Sequence, residues 1–166
     1  MENAVNMTIS IGEGCGYFLP GTDMQMNNMM GESFLLPKGF HSWLPNQRLQ
    51  SMMTPTMMVD HQKNLVFAGG SGGAGRIPYM IAQVLDGILT KKQSLLEATV
   101  APRVYVNNSL AHVENGYKGE IPNHLKKHHW ADKSLFFGGL HSIYRNEHGE
   151  FEACGDSRRY GVSTVF

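Results

Sequence analysis

Between Ala68 and Gly75 the chain reads Ala-Gly-Gly-Ser-Gly-Gly-Ala-Gly, five glycines in eight residues. An apolar run, Leu65-Val66-Phe67-Ala68, leads into this stretch. A helical period leaves it, with Ile77, Met80, Ile81, Val84, Leu85 and Ile88 recurring on one face. The spacing predicts a strand, a glycine turn and a helix, with Pro78 suited to the first helical turn. Glycine lets backbone N–H groups approach a ligand closely, and a helix start adds unpaired donors with partial positive charge. Such a turn suits an anion, either a phosphate or an oxyanion that develops during a reaction.

Strand-to-helix glycine turns also occur for purely structural reasons. The pattern Gly70-x-Gly72-x-x-Gly75 fits the dinucleotide fingerprint, but that needs a following parallel strand with an acid about twenty positions on. The corresponding stretch, Leu89-Thr90-Lys91-Lys92-Gln93, has neither. No Gly-Lys-Ser/Thr follows, so a phosphate P-loop fails too. Elimination of the phosphate sites leaves the oxyanion beside the purely structural turn, to be decided by other residues.

A chain of 166 residues fits one domain, spanning 1–166 and burying roughly two thirds of its unfolded surface. With 42% hydrophobic and 17% charged residues it is expected to fold rather than stay disordered. Fourteen basic residues balance fourteen acidic ones, so charge gives no case for nucleic acid or an anionic membrane surface as partner. Cys15 and Cys154 permit one bridge but no disulfide framework. No run of 18 apolar residues and no secretory signal pattern occur, which leaves localisation open. Eleven methionines, several in pairs, read as flexible core or interface filling rather than as a copper site.

Val5, Met7, Ile9 and Ile11 alternate with Asn6, Thr8 and Ser10, which predicts a strand with one buried face. Pro20-Gly21-Thr22-Asp23 reads as a turn, and residues 27–48 as a long aperiodic loop. Thr56 to Val59 and Leu65 to Ala68 read as antiparallel strands. Ser94-Leu95-Leu96-Glu97 is a capping box opening a short helix that Pro102 ends. Strands are expected at Val104 to Val106 and Leu110 to Glu114, and a helix from Ile121 to Trp130. A last hairpin runs from Leu135 to Arg145 and from Glu150 to Ala153. The expected class is α+β with mostly antiparallel strands.

His124 and His128 would stand at i, i+4 on the expected helix, beside His129. Without a third ligand or a carboxylate base they read as a solvated basic face, and no metal or cofactor is expected. His41 and His141 read as packing residues. Cys15 would need a base that nothing nearby supplies. Asp156-Ser157-Arg158-Arg159 reads as an ion-pair anchor, because arginine forks grip carboxylates and carbonyls in fixed geometry.

Taken in order, these segments resemble the small subunit of gamma-glutamyltranspeptidases. The motifs are Thr8 to Ser10, Pro20-Gly21-Thr22, Asn27-Asn28, Arg48 to Thr56, Gly70 to Ile77, Ala101-Pro102-Arg103 and Asp156 to Arg159. They span nearly the whole chain. Gly14-x-Gly16, Gly31-Glu32 and Gly39-Phe40-His41-x-Trp43 look closest to the transpeptidase-like branch. The resemblance implies an N-terminal-nucleophile hydrolase fold, a four-layer αββα sandwich made by autocleavage of a precursor. It also implies a newly exposed threonine that attacks a gamma-glutamyl amide, its own α-amine acting as base at a pKa of about 8. The acyl group then passes to water or an amino acid. By position Gly72 and Gly73 correspond to the oxyanion-hole glycines. Ser51 corresponds to a serine that holds the substrate α-carboxylate. Glu32, near Asn28, lies where an aspartate receives the α-amine.

This chain also departs from the pattern. The family's Thr-Thr-His opening should lie upstream of residue 1, so the chain alone is expected to be inactive. Ile9 and Ile11 stand where a threonine and an asparagine usually orient nucleophile and substrate, although a one-residue shift would place Thr8 and Ser10 there. Met52 replaces the second serine of the carboxylate site, and Phe34 stands where the closest branch tends to carry an acid. Two expectations follow: a small-subunit fragment of an acyl-transferring enzyme, or a non-catalytic subunit. Either would pack on a large-subunit-like chain or form a homo-oligomer.

Overall fold

A computed structural model describes residues 3–164. The chain divides into two compact units: Thr8–Met52, and the residues from Met53 onward together with those before Thr8.

Within Thr8–Met52 the expected turn closes a two-stranded hairpin, β1 (Phe18–Leu19) and β2 (Met24–Gln25). The Thr22 hydroxyl donates to the Leu19 carbonyl at 2.8 Å, and its oxygen accepts from the Met24 N–H. The aperiodic stretch holds two 3-10 turns, Met29–Gly31 and Ser33–Leu35, the second carrying Leu35 and Leu36 into the interior.

The larger unit is built on a four-stranded antiparallel sheet. Its order is β3 (Thr56–Val59), β4 (Leu65–Ser71), β8 (Leu140–Arg145) and β9 (Phe151–Gly155). Between β4 and β8 in sequence come α1 (Ile77–Leu89), α2 (Leu95–Val100), β5 (Val104–Asn107), β6 (Leu110–Val113) and β7 (Lys126–His129). The glycine turn feeds α1 as its sequence predicts, and Ile77, Met80, Ile81, Val84 and Ile88 form the buried stripe. Both halves of the Ser94–Glu97 capping box are present and start α2. The two helices meet where Gly87 comes up against Ala98.

Pleat alternation divides the sheet. Phe67, Ser71, Leu140, Ser142 and Cys154 are buried on the face that α1 and α2 contact. Met57, Ile143 and Phe151 remain exposed on the other. Helices on one face of an antiparallel sheet bear out the α+β class.

Three elements differ from the sequence reading. Residues 5–11 form no strand, and Val5, Met7 and Ile9 are 87%, 72% and 76% exposed. Alternation marks a face fit for burial, but among the described residues nothing covers it. The polar Asn6 is instead the tethered residue, donating to the Thr56 and Gly69 carbonyls at 2.9 Å each. The expected helix over Ile121–Trp130 is strand β7, which pairs in parallel with β6. Lys126 donates to Ser109 and Trp130 to Val113 through the backbone, so an open strand edge outcompetes a weak helical period. Finally, Leu135–Phe137 is a 3-10 turn and β8 begins only at Leu140, since Gly138 (φ +75°) breaks the extension.

Candidate active site

Strand β4 ends on Ser71, 5% exposed, whose hydroxyl oxygen accepts from the Gly139 N–H at 3.1 Å. Its proton is donated to the Gly72 carbonyl at 2.9 Å. The chain then turns through Gly73 at φ +127°, a conformation that L side chains rarely adopt, and Ala74 follows at φ +51°. Gly138 packs on this turn so closely that a Cβ there would lie 2.8 Å from Ser71 Oγ and 2.9 Å from the Gly72 oxygen. Among the described residues, neither the Gly72 nor the Gly73 N–H donates to another protein group.

Two cations border the turn. The Arg159 guanidinium lies over Gly72, where an added Cβ would be 2.8 Å from its Cζ. Arg76 donates from Nε to the Phe136 carbonyl at 2.7 Å, and its guanidinium sits 4.4 Å above the Phe136 ring. Burial, partly offset by Tyr105 and reinforced by repulsion from Arg159, lowers the Arg76 pKa. Phe136 belongs to a ring cluster with Tyr105, His112 and Trp130, stacked on Trp130 at 4.7 Å.

Beneath the turn lies the anchor read from Asp156-Ser157-Arg158-Arg159. Arg158 gives Nε and Nη2 to Glu114 at 2.8 and 2.6 Å, and Nη1 to Asp156 at 3.2 Å. Arg103 gives Nη2 to Asp156 at 2.6 Å and Nη1 to the Phe137 carbonyl at 2.7 Å. Asp156 also accepts from the Leu140 N–H at 3.2 Å. The segment Phe137–Leu140, which holds Ser71, is thus pinned at both ends by buried charge. Burial alone would raise the Asp156 pKa, but Arg103, Arg158 and two backbone N–H groups hold it below the usual carboxylate value. Burial and Arg158 together lower Arg103, whereas Arg158, facing two carboxylates, ends up raised despite its burial.

The remaining sequence candidates lie in Thr8–Met52. Ser10 accepts from the Gly12 N–H at 3.0 Å, and Asn28 accepts from the Glu13 N–H at 2.7 Å. The side chains of Asn28 and Glu32 both lie against Gly12. Ser10, Asn28 and Glu32 therefore gather around one glycine, while Thr8 is half-buried and Ser51 exposed elsewhere in the chain. Cys15 and Cys154 are both free thiols, one exposed and one buried.

Sequence reasoning placed Ser71 in the turn without a role of its own, and missed Gly138 and Gly139 as parts of it. The adjacent pair Gly138-Gly139 was the available signal, but its partner is 66 to 68 positions away in sequence.

The family model described as gamma-glutamyltranspeptidase matches residues 1–166. The glutathione hydrolase proenzyme of Bacillus subtilis is 29% identical over 170 aligned positions, covering 97% of this chain and 28% of that protein. The capsule biosynthesis protein CapD proenzyme of Bacillus anthracis is 28% identical over 152, covering 89% and 27%. The chain thus spans less than a third of the curated relatives it matches. A gamma-glutamyltranspeptidase from Pseudomonas nitroreducens superposes with a TM-score of 0.78 at 21% identity, over 99% of this chain and 94% of that one. Bacillus anthracis CapD superposes at 0.74 and 22%, over 98% and 92%. The fold is that of the N-terminal-nucleophile hydrolases, small-subunit half. The family-model match spanning residues 1–166, together with the motif order and the glycine turn between β4 and α1, places this chain in the gamma-glutamyltranspeptidase family.

Proposed function

We propose that this chain is the small-subunit part of an enzyme that hydrolyses or transfers a gamma-glutamyl group from a glutathione-type donor. The observation that carries the reading is the Gly72–Gly73 turn, with two amides unpaired among the described residues and two guanidinium groups at its border. In the reaction a threonine hydroxyl from outside these 166 residues attacks the gamma-glutamyl carbonyl. The oxygen that gains charge accepts from the Gly72 and Gly73 N–H groups, and the amine departs with a proton. The acyl-enzyme then passes its group to water or an amino acid. Removing one such donor typically costs roughly a hundred- to a thousand-fold in rate. Ser51 receives the substrate α-carboxylate, Glu32 and Asn28 its ammonium end, and Thr8 and Ser10 orient the reacting groups. The exposed sheet face around Met57, Ile143 and Phe151 receives a large-subunit-like chain. The whole 1–166 stretch acts as one domain in that assembly.

Ile9, Ile11 and Met52, where hydrogen-bonding residues are usual, favour a second reading: a non-catalytic subunit with the same docking face. Assay of amine release from a gamma-glutamyl anilide separates the two. The chain alone is expected to release none. Assembly with a Thr-led strand and a large-subunit-like partner is expected to release amine if the first reading holds. A folded, fully assembled complex that stays inert supports the second.

A further inference from the structure

The geometry points to Ser71 as a positioning residue whose hydroxyl fixes the plane of the Gly72–Gly73 peptide, and with it the direction of the Gly73 N–H. A serine hydroxyl has one proton. Ser71 Oγ accepts from the Gly139 N–H, and that proton is donated to the Gly72 carbonyl. The peptide unit is planar and trans, so its C=O and N–H point in opposite directions. A carbonyl held inward by Ser71 thus turns the Gly73 amide outward. Such a restraint matters here because Gly73, lacking a Cβ, has broad rotational freedom of its own. Gly138 packs on the same carbonyl, where an added Cβ would come within 2.9 Å of the Gly72 oxygen. The strap that carries Gly138 and Gly139 is in turn held by Arg103 at Phe137 and by Asp156 at Leu140. The chain of restraint runs from buried ion pair to strap, to hydroxyl, to peptide plane.

This inference rests on reading the turn as the oxyanion site, and its test is arranged to separate the two. The full chain is labelled with 15N-glycine, and the Gly73 amide resonance is compared in the wild type, Ser71→Ala and Ser71→Thr. The wild type and Ser71→Thr, which keep the hydroxyl, are expected to give one sharp resonance at a shared position. In Ser71→Ala it is expected to move or split as the peptide samples a second plane. An unmoved Gly73 resonance in a folded Ser71→Ala protein overturns the role. If Ser71→Ala fails to fold, Ser71→Cys, a weaker donor, replaces it with the same criterion. In the assembled complex, Ser71→Ala is expected to lower kcat about ten- to a hundred-fold with KM within about twofold, and Ser71→Thr to restore it. Equal loss in both variants counts against the role. An inert wild-type complex sinks the oxyanion reading alone, since the resonance still decides what Ser71 does.

Discussion

His112 accepts a long hydrogen bond at Nδ1 from the Trp130 indole N–H at 3.4 Å, which places its own proton on Nε2. Its ring lies 4.6 Å from that of Phe136 and 5.6 Å from that of His128. Burial first, then His128 and Arg76, lower its pKa. The charged form is disfavoured in the fold, so the unfolded chain takes up the proton more readily. His112 therefore adds stability that is complete above the unfolded value of about 6.5 and lost as pH falls through its lower folded value. Urea midpoints followed by tryptophan fluorescence are expected to fall between pH 7.5 and 5.5 in the wild type, and less in His112→Gln. A hairpin-turn carboxylate, Asp60, is also lowered, but because its charged form is the one the fold favours. Hydrogen bonds from Asn64, with Arg145 adding its own, hold it at about 2. The residue identities in both sites were plain in sequence. Their environments were not, because His112 meets Trp130 only once β7 lies beside β6 in parallel.

At the level of elements, the Asp156–Arg103–Arg158–Glu114 cluster joins the α2–β5 corner to the end of β9. All four residues are at most 6% exposed, so each charge depends on its partners rather than on water. Asp156→Asn leaves two guanidinium groups short of a counter-charge, and is expected to cost about 3–5 kcal/mol in chemical denaturation. The wild type is expected to lose this contribution as acid protonates Asp156. Its folded pKa is lowered, so the stability is present above about 3.9 and drains away as pH falls through the folded value. Circular dichroism across an acid series checks the window. Elements set by local chemistry were legible: the Ser94 capping box, Pro78 in the first turn of α1 and the β3–β4 pair each follow from neighbours in sequence. The stretch 121–130 was not, because its state is decided by a strand edge sixteen residues earlier. Asp156 to Arg159 read correctly as an anchor, yet its partners Arg103 and Glu114 lay more than forty positions away.

Across the whole molecule, the asymmetry of the four-stranded sheet governs behaviour. One face is sealed by α1 and α2, while Met57, Ile143 and Phe151 stand 39%, 37% and 45% exposed on the other. Ile143→Glu is expected to change the chain's own stability by no more than about 0.5 kcal/mol, as exposed substitutions do. The same change is expected to abolish assembly with the large-subunit-like chain, read by co-purification. An undisturbed complex would move the docking face elsewhere. The alternating apolar residues from Val5 to Ile11 were read from sequence as a buried strand face. Their pattern described a surface fit to be covered, whereas the cover itself is no property of the pattern.

One consequence attaches to the strap over the glycine turn. A serine set among glycines at the head of a helix looks, by habit of comparison with esterases, like an attacking group. Here its lone hydrogen is already committed to a neighbouring carbonyl, and one of its two lone pairs to Gly139. Ser71 is consequently poor bait for electrophilic phosphonate reagents, and a blank result with such a label would carry no news about whether the protein is a catalyst.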